Sequence, residues 1–221
     1  MGQLQSSVNS RLIYENAKAN LIAAQVSVAT AVLTQSFLRV ENQLLVAVTN
    51  YVFPFLNTQP NPTAGIIFNT EKRLVQQDSF VAASWGVFLS NPSSNTDATA
   101  PLHSFPNPFL FGAAPAAAAE TIYNSVFSLT VNNNVILPSW DAYRHRAVLQ
   151  TQQIAVAPSS IDQIEGDSTG FYPVEPNLVI IGSKNSVLQL QLPAALAAVT
   201  AFERISVILR GVLAQNSTIL T

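Results

Sequence analysis

The chain has 221 residues, of which 48% are hydrophobic and only 10% charged, against about 25% charged in an average soluble protein. Twelve acids and ten bases give a formal charge of −2, and the bases are scattered, the longest groupings being Lys72-Arg73 and Arg144-His145-Arg146. That pattern offers no stripe to neutralise phosphates, so direct sequence-specific nucleic-acid binding is not expected, and the lack of cysteine excludes disulfides, thiolate zinc sites and cysteine nucleophiles.

In chain order, Asn9 or Ser10 is placed to cap a helix running to about Gln25, with Leu12, Ile13, Ala17, Leu21 and Ala24 on one stripe. Residues 26–32 alternate Val with Ser or Thr and suit helix or strand equally. Residues 1–30 therefore read as an N-terminal helical arm and 31–221 as one domain. Residues 19–38 carry no charge, yet Asn20, Gln25, Ser27, Thr30, Thr34, Gln35 and Ser36 argue against membrane insertion. No secretory signal is expected, and Met1-Gly2-Gln3-Leu4-Gln5-Ser6 fits the myristoylation pattern at a level that chance often supplies.

Residues 37–52 hold one or two strands, with Leu38 and Val40 before Glu41-Asn42-Gln43 and Leu44, Val46 and Val48 after it. A Pro- and Asn-rich loop spans 54–62, a short strand 65–68, and a longer strand with Trp85 spans 79–89. Residues 91–115 form a long excursion, of a length that is usually functional or interfacial, and a short helix runs from 113–119 into Glu120. Phe127, Leu129 and Val131 alternate with Ser128 and Thr130. Asn132-Asn133-Asn134 then supplies the left-handed backbone of a hairpin turn, and Val135-Ile136-Leu137 returns. A strand over 147–156 and an acidic loop over 162–170 follow.

The last third is the most regular. Val187-Leu188-Gln189-Leu190-Gln191-Leu192 alternates at the strand period, and Gly182-Ser183-Lys184-Asn185 predicts a hairpin joining 178–181 to 187–192. Pro193 ends that ladder. Ile205, Val207, Leu209 and Leu213 then share one face of a strand, and Ser206 and Arg210 the other. Eight to ten strands with little helix imply an all-β fold, an antiparallel sandwich of Greek-key or jelly-roll type carrying an N-terminal helical arm.

Few motifs carry chemistry. Gly166-Asp167-Ser168-Thr169-Gly170 matches the nucleophile elbow, but both histidines, His103 and His145, precede Ser168, and Phe171-Tyr172-Pro173 starts no long helix. A His103, Asp141, Ser168 order has the protease sequence of roles without its flanking residues, so the segment is read as a turn and no catalytic residue is assigned. Asp162, Glu165 and Asp167 lie close enough to share a cation, though a solvated acidic loop explains them more simply. Arg144-His145-Arg146 beside Trp140 and Tyr143 is either a recognition patch or a surface loop at a sheet edge. No cofactor or metal is expected.

The order of signals resembles the jelly-roll structural proteins of bacteriophage virions, above all the capsid proteins of tail-less phages. Glu71-Lys72-Arg73-Leu74-Val75 with Gln77-Asp78-Ser79-Phe80-Val81 resembles their early strand pair, and Ile122-Tyr123-Asn124-Ser125-Val126-Phe127 with Val131-Asn132 a central hairpin. Gln150-Thr151-Gln152 ends the next strand. Pro176-Asn177-Leu178, Gly182, Asn185, Leu190-Gln191-Leu192-Pro193 and residues 205–211 resemble the closing strands. The resemblance spans about residues 70–215 and transfers no catalytic residue. Many major capsid proteins of such phages hold two jelly rolls, and this chain has room for one, which leaves major, penton and minor shell roles open.

The resemblance implies a virion location, with copies of itself and other virion proteins as partners and an internal membrane as a possible contact. The expected mechanism is burial of charge-poor loop and arm surfaces between subunits. Phe53, Phe55, Phe105, Phe109 and Phe111, with Leu12 and Leu21 of the arm, are the candidate interface residues, although the phenylalanines suit the ends of a sandwich equally well. The rival is a ligand- or receptor-binding module of carbohydrate-binding type, which a groove lined by Trp85 or Trp140 with nearby Asn and Asp would favour. An enzyme on the same scaffold would need Ser168.

Overall fold

The computed structural model describes residues 2–59, 67–147 and 170–219, with 2–10 and 218–219 described by backbone alone. Its spine is a pair of long strands, β4 (Ser79–Ser90) and β9 (Arg204–Gln215), paired antiparallel at the centre of one sheet. β2 (Val32–Gln43) and β7 (Phe171–Ile181) flank them, giving the order β2-β9-β4-β7. A second sheet packs across it in the order β3-β8-β5-β6, from β3 (Asn50–Pro54), β5 (Val126–Val131), β6 (Asn134–Asp141) and β8 (Ser186–Gln191). All pairings in both sheets are antiparallel, so the protein is a sandwich of two four-stranded antiparallel sheets. A further two-stranded ribbon joins β1 (Val26–Ser27) to β10 (Thr218–Ile219).

Period-two burial builds the core between the sheets. Ile205, Val207, Leu209 and Leu213 of β9 all face it, as their spacing predicts. β4 is less regular: Phe80 and Ala82 face the core, and so do Trp85, Val87 and Leu89. Even and odd positions share one face because the register shifts between Ala82 and Ser84, where an extra residue reverses the alternation. β5 and β6 form the predicted hairpin around Asn132 and Asn133, whose φ values of 49° and 64° are the left-handed pair that a two-residue turn needs.

The other face of the first sheet is covered at one end by helix α1 (Gly2–Ala23), whose Ala17 and Leu21 pack with Val26 on Val81, Ile181, Val212 and Ala214. The helix starts well before the expected cap at Asn9 or Ser10, since residues 3–8 contain no helix breaker. The uncharged stretch 19–38 is divided among α1, β1 and β2, and no helix of the described residues is long and apolar enough to cross a membrane. Between β4 and β5 lie helix α2 (Pro108–Phe111), capped by the Asn107 side chain, and helix α3 (Ala113–Tyr123).

Two sequence expectations fail. Residues 178–181 and 187–192 do not form a hairpin: β7 pairs with β4, and β8 pairs with β3 and β5 in the opposite sheet, so the Gly182–Asn185 turn crosses between layers. Leu44, Val46 and Val48 alternate without forming a strand. The chain turns there, with Ala47 at φ 68°, and the Tyr51 hydroxyl donates to Leu45 O at 3.1 Å and accepts from Leu45 N at 3.2 Å. The expected strand over 147–156 and the acidic loop over 162–170 lie almost wholly outside the described residues, as does part of the strand expected over 65–68.

Candidate functional site

The most site-like feature lies where the sandwich is open, between the edge strands β6 and β7. While β4 advances from Ala82 to Ser84, the pairing on β7 jumps from Leu178 to Pro173, so β7 carries extra unpaired residues there. Val174 drops into the core and Glu175 stays exposed. Bulges of this kind at a sheet edge re-aim side chains. From the opposite sheet, Trp140 comes off the end of β6, and the 3₁₀ turn Ala142–His145, capped by Asp141 Oδ1 on the Tyr143 N–H at 3.0 Å, presents Arg144. Trp140, Arg144, Tyr172, Pro173 and Glu175 line a groove of about 270 Å³.

The walls of this groove are held by an aromatic cluster. Trp140 and Tyr172 meet edge-on, 6.0 Å apart at 77°, bridging the two sheets. Behind them, Trp85 packs against Phe127 (5.0 Å), Trp140 (5.4 Å) and His145 (4.8 Å). The Arg144 guanidinium lies 5.1 Å from the Trp140 ring and 5.3 Å from the Tyr172 ring, within cation–π range of both. The Glu175 carboxylate has no hydrogen-bond or ion-pair partner among the described residues.

His145 is fully buried beneath the groove. The Trp140 indole N–H can only donate, and it does so to His145 Nε2 at 2.9 Å. That nitrogen must therefore be unprotonated, which puts the ring proton on Nδ1, 3.4 Å from the Gly170 carbonyl. Burial lowers the His145 pKa to about 4, the Gly170 carbonyl acts against it, and Arg144 lowers it further.

A second polar cluster is structural. Glu41 accepts from Arg39 Nε at 2.5 Å and from the Thr70 hydroxyl at 2.8 Å, and Arg204 Nη1 lies 3.5 Å from its other oxygen. Arg204 also donates to Ser94 O at 2.8 Å and sits 4.1 Å over the Phe68 ring. Beside it Glu71 accepts from Arg73 and from the Glu41 and Phe68 amides. The cluster ties β2, β9 and two loops together, and every charge in it has a partner.

The candidate residues scatter. Phe53, Phe55 and Phe111 are buried in the core between the sheets, and Leu21 of α1 is buried against the outer face of the first sheet. Phe105 is half-buried, while Phe109 is 82% exposed and Leu12 54% exposed. His103 bridges to Leu89 through the backbone and packs edge-on against Phe111, and Asp141 caps its turn. Ser168, Asp162, Glu165 and Asp167 lie outside the described residues. The groove joins Trp140 and Arg144, noted in sequence as a patch, to Tyr172 and Glu175, which no local pattern singled out. Trp85 lies buried behind it, and neither Asn nor Asp lines it. Compared with protein-family models, curated proteins and solved structures, the chain matches none of them.

Proposed function

We propose that the chain is a non-enzymatic structural protein of a virion, a single jelly-roll subunit that assembles with copies of itself. The observation that carries this reading is strand order. An eight-stranded hairpin wrapped on itself places its first strand beside its last and its second beside its seventh, and divides into two sheets of four. Numbered in that way, β2 to β9 fall into the orders 1-8-3-6 and 2-7-4-5. Double-sheet jelly rolls of this kind serve in viral shells and in lectins. Fold alone does not fix function, so the surface has to choose between them.

That surface favours assembly. It is poor in charge, and its exposed apolar side chains include Phe109 in the long excursion, Val135 and Ile136 on edge strand β6, and Leu12 and Ile22 on the arm, with others such as Phe37 on β2 and Val126 on β5. An exposed apolar edge strand is a template for pairing that folded proteins ordinarily blunt or cover. Copies of the chain, with other virion proteins beside them, are the covering this reading assigns.

Electron microscopy of the concentrated protein tests the reading. Discrete closed particles or ordered arrays are expected, lost in the double variant Phe109→Ser and Ile136→Lys while the subunit stays folded. Dispersed single subunits of the unaltered protein at every concentration would contradict it.

A further inference from the structure

We infer that the open edge of β2 pairs antiparallel with the same edge of a second copy, across a twofold axis at Gln35. This rests on the assembly reading above and assigns one of its contacts.

Parity shows which backbone groups are open. The Arg39 N–H donates to Lys72 O and its C=O accepts from the Lys72 N–H, each at 2.9 Å, so at Arg39 the backbone groups point away from β9. β2 pairs with β9 without a register shift, so the N–H and C=O groups of Leu33, Gln35 and Phe37 point the same way. They have no hydrogen-bond partner among the described residues. Such a row of donors and acceptors is a template for another strand.

The other three sheet edges are protected. β7 carries Pro173, Pro176 and a register shift, and β6 carries Pro138 and register shifts on both sides of Leu129. β3 has only 5 residues and ends at Pro54. Proline, bulges and shortness all blunt an edge. β2 has 12 residues, no proline and no shift.

Self-complementarity names the occupant. Lys72 fills the position beside Arg39, so an incoming strand has the window 33–37. A twofold centred on Gln35 sets Leu33 opposite Phe37 of the second copy, Gln35 opposite Gln35, and Thr34 opposite Ser36. Each open N–H in the window then meets a C=O. On one face an amide pair lies between two apolar pairs, and on the other hydroxyls meet. Residues 32–38 carry no charge, so the axis brings no like charges together. Phe37 is 43% exposed, and the pairing covers it. The Lys72 ammonium, 4.6 Å from the Phe37 ring and donating to Ser36 Oγ at 2.9 Å, belongs to an exposed side chain that swings aside as Leu33 of the second copy arrives.

The chain has no cysteine, so Gln35→Cys reports the axis directly. Opposed Cα atoms in a hydrogen-bonded antiparallel pair lie about 5.5 Å apart, within disulfide range. Under mild oxidation the full chain carrying Gln35→Cys should form covalent dimers, while Gln189→Cys, at an exposed position on interior strand β8, should not. Gln35→Pro removes only a donor that faces away from β9, and Gln35→Lys sets like charges face to face. Each should raise the protein concentration needed for assembly about tenfold or more, with the circular dichroism of the fold unchanged. Light scattering after size exclusion separates the two ways of failing. A monomer of the unaltered chain at every concentration overturns the assembly reading and this contact with it. An assembled protein that does not cross-link through Gln35→Cys, or whose Gln35→Pro and Gln35→Lys variants assemble as before, leaves assembly standing and overturns this contact, giving the edge to a strand of another protein.

Discussion

Trp140 donates its indole N–H to His145 Nε2 across 2.9 Å, so a fully buried imidazole fixes the ring that walls the open side of the sandwich. The bond requires a neutral histidine. In the folded protein burial holds the pKa at about 4, against about 6.5 in an unfolded chain. Between those values the unfolded chain binds a proton that the folded protein does not. Stability from this group is therefore complete above about pH 6.5 and is lost as pH falls toward 4, by up to about 3 kcal/mol. Glu203, whose pKa burial raises, contributes with the opposite sign and lessens the total slope. Denaturant melts of the wild type and His145→Phe at pH 4.5 and 7 separate the two. The wild type should lose more stability on acidification than the variant, and equal losses would contradict the assignment.

The Glu41 cluster predicts an asymmetry between its two buried partners. Glu41→Gln leaves Arg204 and Arg39 facing a neutral amide, and removing one partner of a buried pair costs about 3–5 kcal/mol. Arg204→Met removes the 3.5 Å contact to Glu41 and the 2.8 Å hydrogen bond to Ser94 O, but keeps apolar bulk over Phe68 and leaves Glu41 bound to Arg39 and Thr70. It should cost clearly less. Equilibrium unfolding of the two variants at neutral pH gives the comparison, and a larger loss for Arg204→Met would show that the cluster is organised around the arginine.

Gly211 is required by close approach of two backbones. A Cβ there would lie 1.9 Å from the Val81 carbonyl oxygen across the β4–β9 ladder. Gly211→Ala must push the central strands apart and should cost more than about 3 kcal/mol. Gly112→Ala acts through a different cause: the nearest atom to a Cβ there is 3.7 Å away, but φ +83° with ψ 155° is backbone that only glycine adopts readily, and about 1–3 kcal/mol of strain is expected. Thermal melting distinguishes them, and equal shifts would contradict the packing described.

The arm predicts a separation of folding from assembly. Leu21 is fully buried on the outer face of the first sheet, outside the core of the sandwich. Leu21→Asp should release α1 and lower the helical signal in circular dichroism while the β signal persists. Deleting residues 1–30 should likewise leave the sandwich folded and impair assembly. Normal particles from the deleted chain would contradict the role given to the arm.

How much of this was legible in sequence depended on whether the signal was local. The β5–β6 hairpin was readable because Asn132 and Asn133 supply both the turn and its backbone conformation. The inward face of β9 was readable because its apolar residues hold one parity. Parity alone did not reveal the shift at β4, where Phe80 and Trp85 point the same way, nor that β7 and β8 lie in different sheets. A strand's pattern states which face is buried and says nothing of its neighbour. The groove was half legible: the Trp140–Arg146 stretch stood out, but Tyr172 lies in another strand of the opposite sheet, and Glu175 reaches the groove from an irregular stretch of β7 whose local mark is the pair Pro173 and Pro176.

The most direct measurement of the central claim is the mass of the purified native protein in solution, by light scattering after size exclusion. A shell subunit predicts a trimer, a pentamer or a larger closed species that persists on dilution. A monomer at every concentration would contradict self-assembly and leave a binding module on the same sandwich as the account to pursue.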